Sequence, residues 1–126
     1  MIEGLAHIGL FIRDIEVSKK FYTEKLGFTI VCEAEMADGT KIAMAQLNDM
    51  IIELVQSPGY DGYQDGFVNH ISMKVKDIEA AMEDFKEKGI EFEMEEPIYL
   101  DNVFNGLKYI MFRGPDGERL EINELL

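Results

Sequence analysis

The chain has two histidines, His7 and His70, and each stands in the same short context. The segment Ala6-His7-Ile8-Gly9-Leu10-Phe11-Ile12-Arg13-Asp14-Ile15-Glu16 is answered, 63 residues later, by Asn69-His70-Ile71-Ser72-Met73-Lys74-Val75-Lys76-Asp77-Ile78-Glu79. His, Ile, Asp, Ile and Glu recur at the same spacing, and the offset is half the chain of 126 residues. Such self-similarity marks two copies of one structural unit. A neutral imidazole offers a nitrogen lone pair to a metal or a proton, so a histidine kept in both copies is a candidate for that chemistry. Each half also places one carboxylate among apolar neighbours: Glu53 within Ile51-Ile52-Glu53-Leu54-Val55, and Glu121 within Leu120-Glu121-Ile122. An ionised carboxylate in such a setting is costly to desolvate unless it is paired or metal-bound.

The elements that must carry these groups follow from periodicity. Residues 5–12 alternate as a strand, and Asp14 or Glu16 starts a helix that runs to about Leu26, where Gly27 stops it. Val17, Phe21, Tyr22 and Leu26 form its expected packed face. Strands over 28–35, 41–47 and 50–56 follow, with a turn at Asp38-Gly39. The first unit thus reads β-α-β-β-β. Residues 57–66, rich in glycine and tyrosine, form a connector that can close over a pocket or cross to a partner subunit. The second unit repeats the plan. A strand is expected over 68–75, a helix over 78–88 with Ile78, Met82 and Phe85 inward, and a strand over 91–96. A less regular stretch from Pro97 to Gly106 precedes a hairpin of 108–113 and 118–123 across Gly114-Pro115-Asp116-Gly117.

Side chains alternate across a strand, so a strand covered by a helix shows the helix its apolar set. Ile8, Leu10 and Ile12 in one copy, and Ile71, Met73 and Val75 in the other, send His7 and His70 to the uncovered face. The same alternation selects Glu53 and Glu121. Two imidazoles and two carboxylates suit a divalent transition metal with water in its remaining positions, provided the two units bring them to one place.

Composition narrows the partners. A formal net charge of −13 disfavours nucleic acids and anionic membranes, while saying little about a small-molecule site, where a few cations or a metal reverse the local field. The single cysteine, Cys32, excludes an intrachain disulfide and has no motif around it. With no apolar run of membrane-spanning length and no leader-like start, the expectation is one soluble cytoplasmic domain over 1–126, its modules at about 5–57 and 68–125.

His7-Ile8-Gly9-Leu10, Phe21-Tyr22, Leu26-Gly27-Phe28, Glu53-Leu54, Asn69-His70-Ile71 and Pro115-Asp116-Gly117 before Leu120-Glu121 together resemble the vicinal oxygen chelate superfamily, and within it glyoxalase I (lactoylglutathione lyase) of the short bacterial type. The resemblance spans nearly the whole chain. It implies an α+β fold of two βαβββ modules forming a cupped mixed sheet, a homodimer, and His7, Glu53, His70 and Glu121 as metal ligands. Nickel or cobalt is the favoured ion and zinc the other candidate. The implied activity is proton transfer through a metal-stabilised enediolate on a hemithioacetal or other small α-hydroxycarbonyl, with Glu121 as the base and Glu53 its counterpart.

Two departures argue against glutathione as the thiol: Phe11 stands where glutathione-using members carry arginine, and Ser57 where they tend to carry asparagine. Lys74, Lys108 and Arg113 are candidate cationic contacts, and Tyr99, Phe104 and Tyr109 candidate pocket walls. The resemblance leaves two alternatives. One is an epimerase of the methylmalonyl-CoA type, which has glutamine at the position of Glu53. The other is a metal-free binding or resistance protein, which has no need of four aligned ligands.

Overall fold

The computed structural model describes every residue except 2, 63–65 and 67. The expected connector over 57–66 therefore falls partly outside the described residues. The chain divides into two compact units, Met1–Gly62 and Tyr63–Leu126.

The first unit runs β1 (Ile8–Phe11), α1 (Ile15–Lys20) widening into a π-helical turn (Phe21–Lys25), β2 (Thr29–Glu35), β3 (Lys41–Leu47) and β4 (Met50–Gln56). Asp14 caps α1, its carboxylate accepting from the backbone N–H groups of Glu16 and Val17. The sheet order is β1-β4-β3-β2, with β1 parallel to β4 and the other pairs antiparallel. Ala43, Ala45, Ile52 and Leu54 are fully buried beneath the helical segment. Full burial of such an aliphatic side chain contributes about 1.5–3 kcal/mol. From the helix come Ile15, Ser18, Phe21 and Tyr22. Val17, expected inward, is instead 51% exposed, because the cap at Asp14 sets the helix phase so that Ile15 and Ser18 face the sheet.

The second unit runs β5 (Ile71–Lys74), α2 (Ile78–Glu87), β6 (Ile98–Leu100), β7 (Leu107–Arg113) and β8 (Arg119–Leu125). Asp77 caps α2 as Asp14 caps α1. The order β5-β8-β7-β6 repeats that of the first unit, again with its first and last strands parallel. Its core joins Ile78 and Met82 to Ile110, Phe112, Leu120 and Ile122.

The strand expected over 91–96 does not form. Phe92 makes a single antiparallel bridge to Phe112 and stacks on Phe85, while the paired strand lies beyond Pro97 at Ile98–Leu100. Phe92 serves there as an aromatic plug in the Phe85–Phe112 cluster, and Pro97, which has no N–H to give a ladder, marks where pairing begins. Among the described residues no helix is long and apolar enough to cross a membrane.

Candidate metal centre

Register decides where the polar side chains stand. In the first unit Gly9 pairs with Glu53 across β1 and β4, while Ile8 pairs with Ile52 and Leu10 with Leu54. Ile52 and Leu54 face the helix, so Glu53 and Gly9 share the opposite face. His7, just ahead of β1, reaches Glu53 with its Nε2 at 3.8 Å from Oε1. A β-carbon at position 9 would lie 3.4 Å from that same oxygen, so glycine leaves the carboxylate its room.

The second unit repeats the arrangement with more support. Ser72 pairs with Glu121 across β5 and β8, and His70 Nε2 lies 3.5 Å from Glu121 Oε2. The Ser72 hydroxyl donates to Glu121 Oε1 at 2.6 Å, and the Asn123 amide approaches the same oxygen at 3.4 Å. Glu121 is thereby anchored through one oxygen while the other faces the histidine. It is also buried, 6% exposed.

His70 is held from behind. Its Nδ1 lies 2.7 Å from Asn69 Oδ1, and the Arg119 guanidinium donates to that Oδ1 at 3.1 Å. Guanidinium has no acceptor, so the Asn69 atom between them is the amide oxygen and His70 Nδ1 must be the donor. In its neutral form the imidazole is thus the tautomer whose Nε2 lone pair points toward Glu121. Glu93 completes the chain, accepting from Arg119 at 3.3 Å and from Arg113 Nε at 2.8 Å. His7 and the Glu53 carboxylate have no such hydrogen bonds among the described residues.

Neither His–Glu separation is that of a hydrogen bond. Two donors each about 2.1 Å from a shared ion stand roughly 3.0 Å apart at a right angle and 3.4 Å apart at the tetrahedral angle. The second pair, at 3.5 Å, fits an ion with almost no movement, and the first, at 3.8 Å, needs a small closure. The donor types, neutral imidazole and carboxylate, suit a divalent transition metal. Each unit brings one imidazole and one carboxylate together; among the described residues no group of three or more His, Cys, Asp or Glu side chains is placed to hold an ion.

Beside His70 and Glu121 the second unit opens a cavity of 550 Å³, the size of a small-molecule pocket. Lys74, Phe104 and Tyr109 line it, as do Ser72 and Asn123. Tyr99 does not, being 58% exposed elsewhere, and Lys108 and Arg113 are taken up by ion pairs with Glu79 and Glu93. The hydrogen bond from Lys108 to Glu79 raises the lysine's pKa above its ordinary value. Phe11 lies on the face of Glu53 with its ring against Tyr60, at 5.7 Å between centroids. Ser72, Arg119 and Asn123 carry no motif of their own, whereas Asn69 stands in the Asn69-His70-Ile71 motif. The repeat nevertheless points to Ser72, since it aligns that residue with Gly9.

Known proteins share this architecture. The uncharacterized protein YwkD of Bacillus subtilis is 30% identical over 130 residues, covering 98% of each chain. The crystal structure of a glyoxalase family protein from Enterococcus faecalis superposes with a TM-score of 0.81 at 27% identity, over 97% of this chain and 98% of that one. The fosfomycin resistance protein FosX of Listeria monocytogenes, in complex with Mn(II) and sulfate, shares the fold with a TM-score of 0.76 at 19% identity, over 100% of this chain and 95% of that one. The sequence matches the family description over residues 4–122, and the chain belongs to the Glyoxalase/Bleomycin resistance protein/Dioxygenase superfamily.

Proposed function

We propose that the chain is a metal-dependent isomerase or lyase of the glyoxalase I type, moving a proton between adjacent carbons of a hemithioacetal or another small α-hydroxycarbonyl compound. The observation that carries this reading is the His–Glu pair in each unit, set at ligand spacing on the face turned away from the helix. His7, Glu53, His70 and Glu121 would hold the ion together. Nickel or cobalt is the favoured ion, with zinc the other candidate. When bound, it supplies Lewis-acid charge beside the oxygens on which negative charge develops.

The chain's own residues do the rest. Glu121 takes the carbon-bound proton and returns it to the neighbouring carbon, with Glu53 as its counterpart. One C–H bond breaks and another forms while a proton passes from the hydroxyl oxygen to the former carbonyl oxygen, so the isomerisation balances without an outside oxidant or reductant. Ser72 keeps Glu121 in place, and Asn69 keeps the His70 Nε2 lone pair aimed inward. Leu100, Leu107 and Met111 give the pocket apolar walls that limit water around the reacting carbons. Phe11, in aromatic contact with Tyr60, offers no cation for a glutathione carboxylate, which supports a different thiol or none.

The test is an isomerisation assay on methylglyoxal with several thiols, run on protein loaded with nickel, cobalt or zinc, alongside elemental analysis. Turnover with one thiol and one of these ions is the expected result. Bound metal without turnover on any hemithioacetal would shift the reading to the epimerase. No bound metal, with His70→Ala leaving every property unchanged, would end it.

A further inference from the structure

Resting on the metal-dependent reading above, we propose that Lys74 selects the substrate: the site takes an α-hydroxycarbonyl compound whose hydrocarbon chain ends in a carboxylate, and Lys74 holds that far end. The geometry is a single sheet face. Along β5, His70, Ser72 and Lys74 point the same way, and the register sets Ser72 beside Glu121 and Lys74 beside Asn123. The cavity therefore has the His70–Glu121 pair at one end and the Lys74 ammonium further along the strand. Apart from Tyr109 and Asn123, the rest of the lining is hydrocarbon, with Leu100, Val103, Phe104, Leu107 and Leu125 among it.

Charge makes this lysine distinctive. A chain of net charge −13 repels a small anion unless a cation is placed where the anion must sit. The second unit's other cations near the sheet are spent: Lys108 on Glu79, and Arg113 and Arg119 on Glu93. Lys74 alone lines the cavity as a cation, and it makes no ion pair among the described residues. Apolar walls lower the local dielectric and so strengthen its attraction for a carboxylate. Ser72 and Lys74 are two residues apart on the strand, roughly 6.6 Å. With the reach of the lysine side chain added, that span suits a chain of about six to eight carbons.

The experiment uses the full chain loaded with nickel and two eight-carbon probes. Both bear a hydroxamate, whose adjacent oxygens copy those of the substrate. Octanohydroxamate ends in a methyl group and suberic monohydroxamate in a carboxylate. By titration calorimetry the wild type should favour the carboxylate probe by roughly tenfold, as a hydrogen bond between charged partners allows. In Lys74→Gln the ratio of the two affinities should fall to about one, and in Lys74→Glu it should invert, as like charges repel. Equal affinities in the wild type, or a preference that survives Lys74→Gln, would overturn the substrate assignment while leaving the metal reading intact. A nickel-loaded wild type that binds neither probe would overturn this inference alone, and a wild type that takes up no nickel would overturn the metal reading with it.

Discussion

The two units build the same pair from the same strands, yet they hold it differently. In the second, Glu121 is buried, accepts from Ser72 and faces a histidine whose tautomer is fixed through Asn69 and Arg119. In the first, His7 and Glu53 have side chains 43% and 22% exposed, and position 9 has no side chain to donate. One half is preorganised and the other is left free to adjust. On the proposed metal-dependent reading the labour would be divided: the anchored pair would set where an ion sits, and the loose pair would yield as substrate oxygens arrive. Support behind a ligand is worth as much as the ligand's own identity in fixing its geometry.

Removing a ligand from the anchored half should have the largest effect. His70→Ala is expected to weaken nickel binding by about 100-fold or more, measured by competition with a chelating dye, and His7→Ala by distinctly less. Equal losses would erase the proposed division.

Next comes the support itself. Asn69→Ala should weaken metal affinity by roughly tenfold. Its more direct readout is nitrogen NMR of the metal-free protein, which has only two histidines to assign. The wild type should show His70 protonated at Nδ1, and the variant a mixture of tautomers. His70 protonated at Nε2 in the wild type would contradict the network drawn here.

The smallest effects come from exchanging the residues that distinguish the halves. Ser72→Ala should destabilise the protein by about 1.5–3 kcal/mol in urea unfolding, the range for a lost hydrogen bond to a charged group. Gly9→Ser would give Glu53 the hydroxyl that Glu121 has. Its β-carbon would sit 3.4 Å from Glu53 Oε1, so the gain is expected to be partly offset by crowding and the net change to stay within about 1 kcal/mol. A large loss instead would show that Glu53 cannot shift at all.

Much of this was legible in the sequence, for an identifiable reason. Alternation along a strand with one covered face is a strict rule, so the apolar residues beside His7, Glu53, His70 and Glu121 were enough to place all four on the uncovered face. The helix start at Asp14, one of two the sequence offered, and the hairpin across Gly114–Gly117 were equally local. What escaped depends on partners distant in the chain. Ser72 bonds to Glu121 across 49 residues, and Arg119 reaches Asn69 across 50. The segment 91–96 misled because Phe92 and Met94 alternate as in a strand, while the aromatic cluster of Phe85 and Phe112 claims Phe92 and ends the ladder early.

In each unit the first strand lies directly beside the last. A His–Glu pair spanning those two strands exists only once every intervening element has been laid down, so it closes the longest loop the unit contains. Loop-closure entropy is therefore already spent when an ion arrives, and whatever binding energy the ion brings is shared by the entire unit rather than by a local turn. The melting temperature should consequently climb with free ion concentration, which would make the metal a fastener for the fold as well as a reagent.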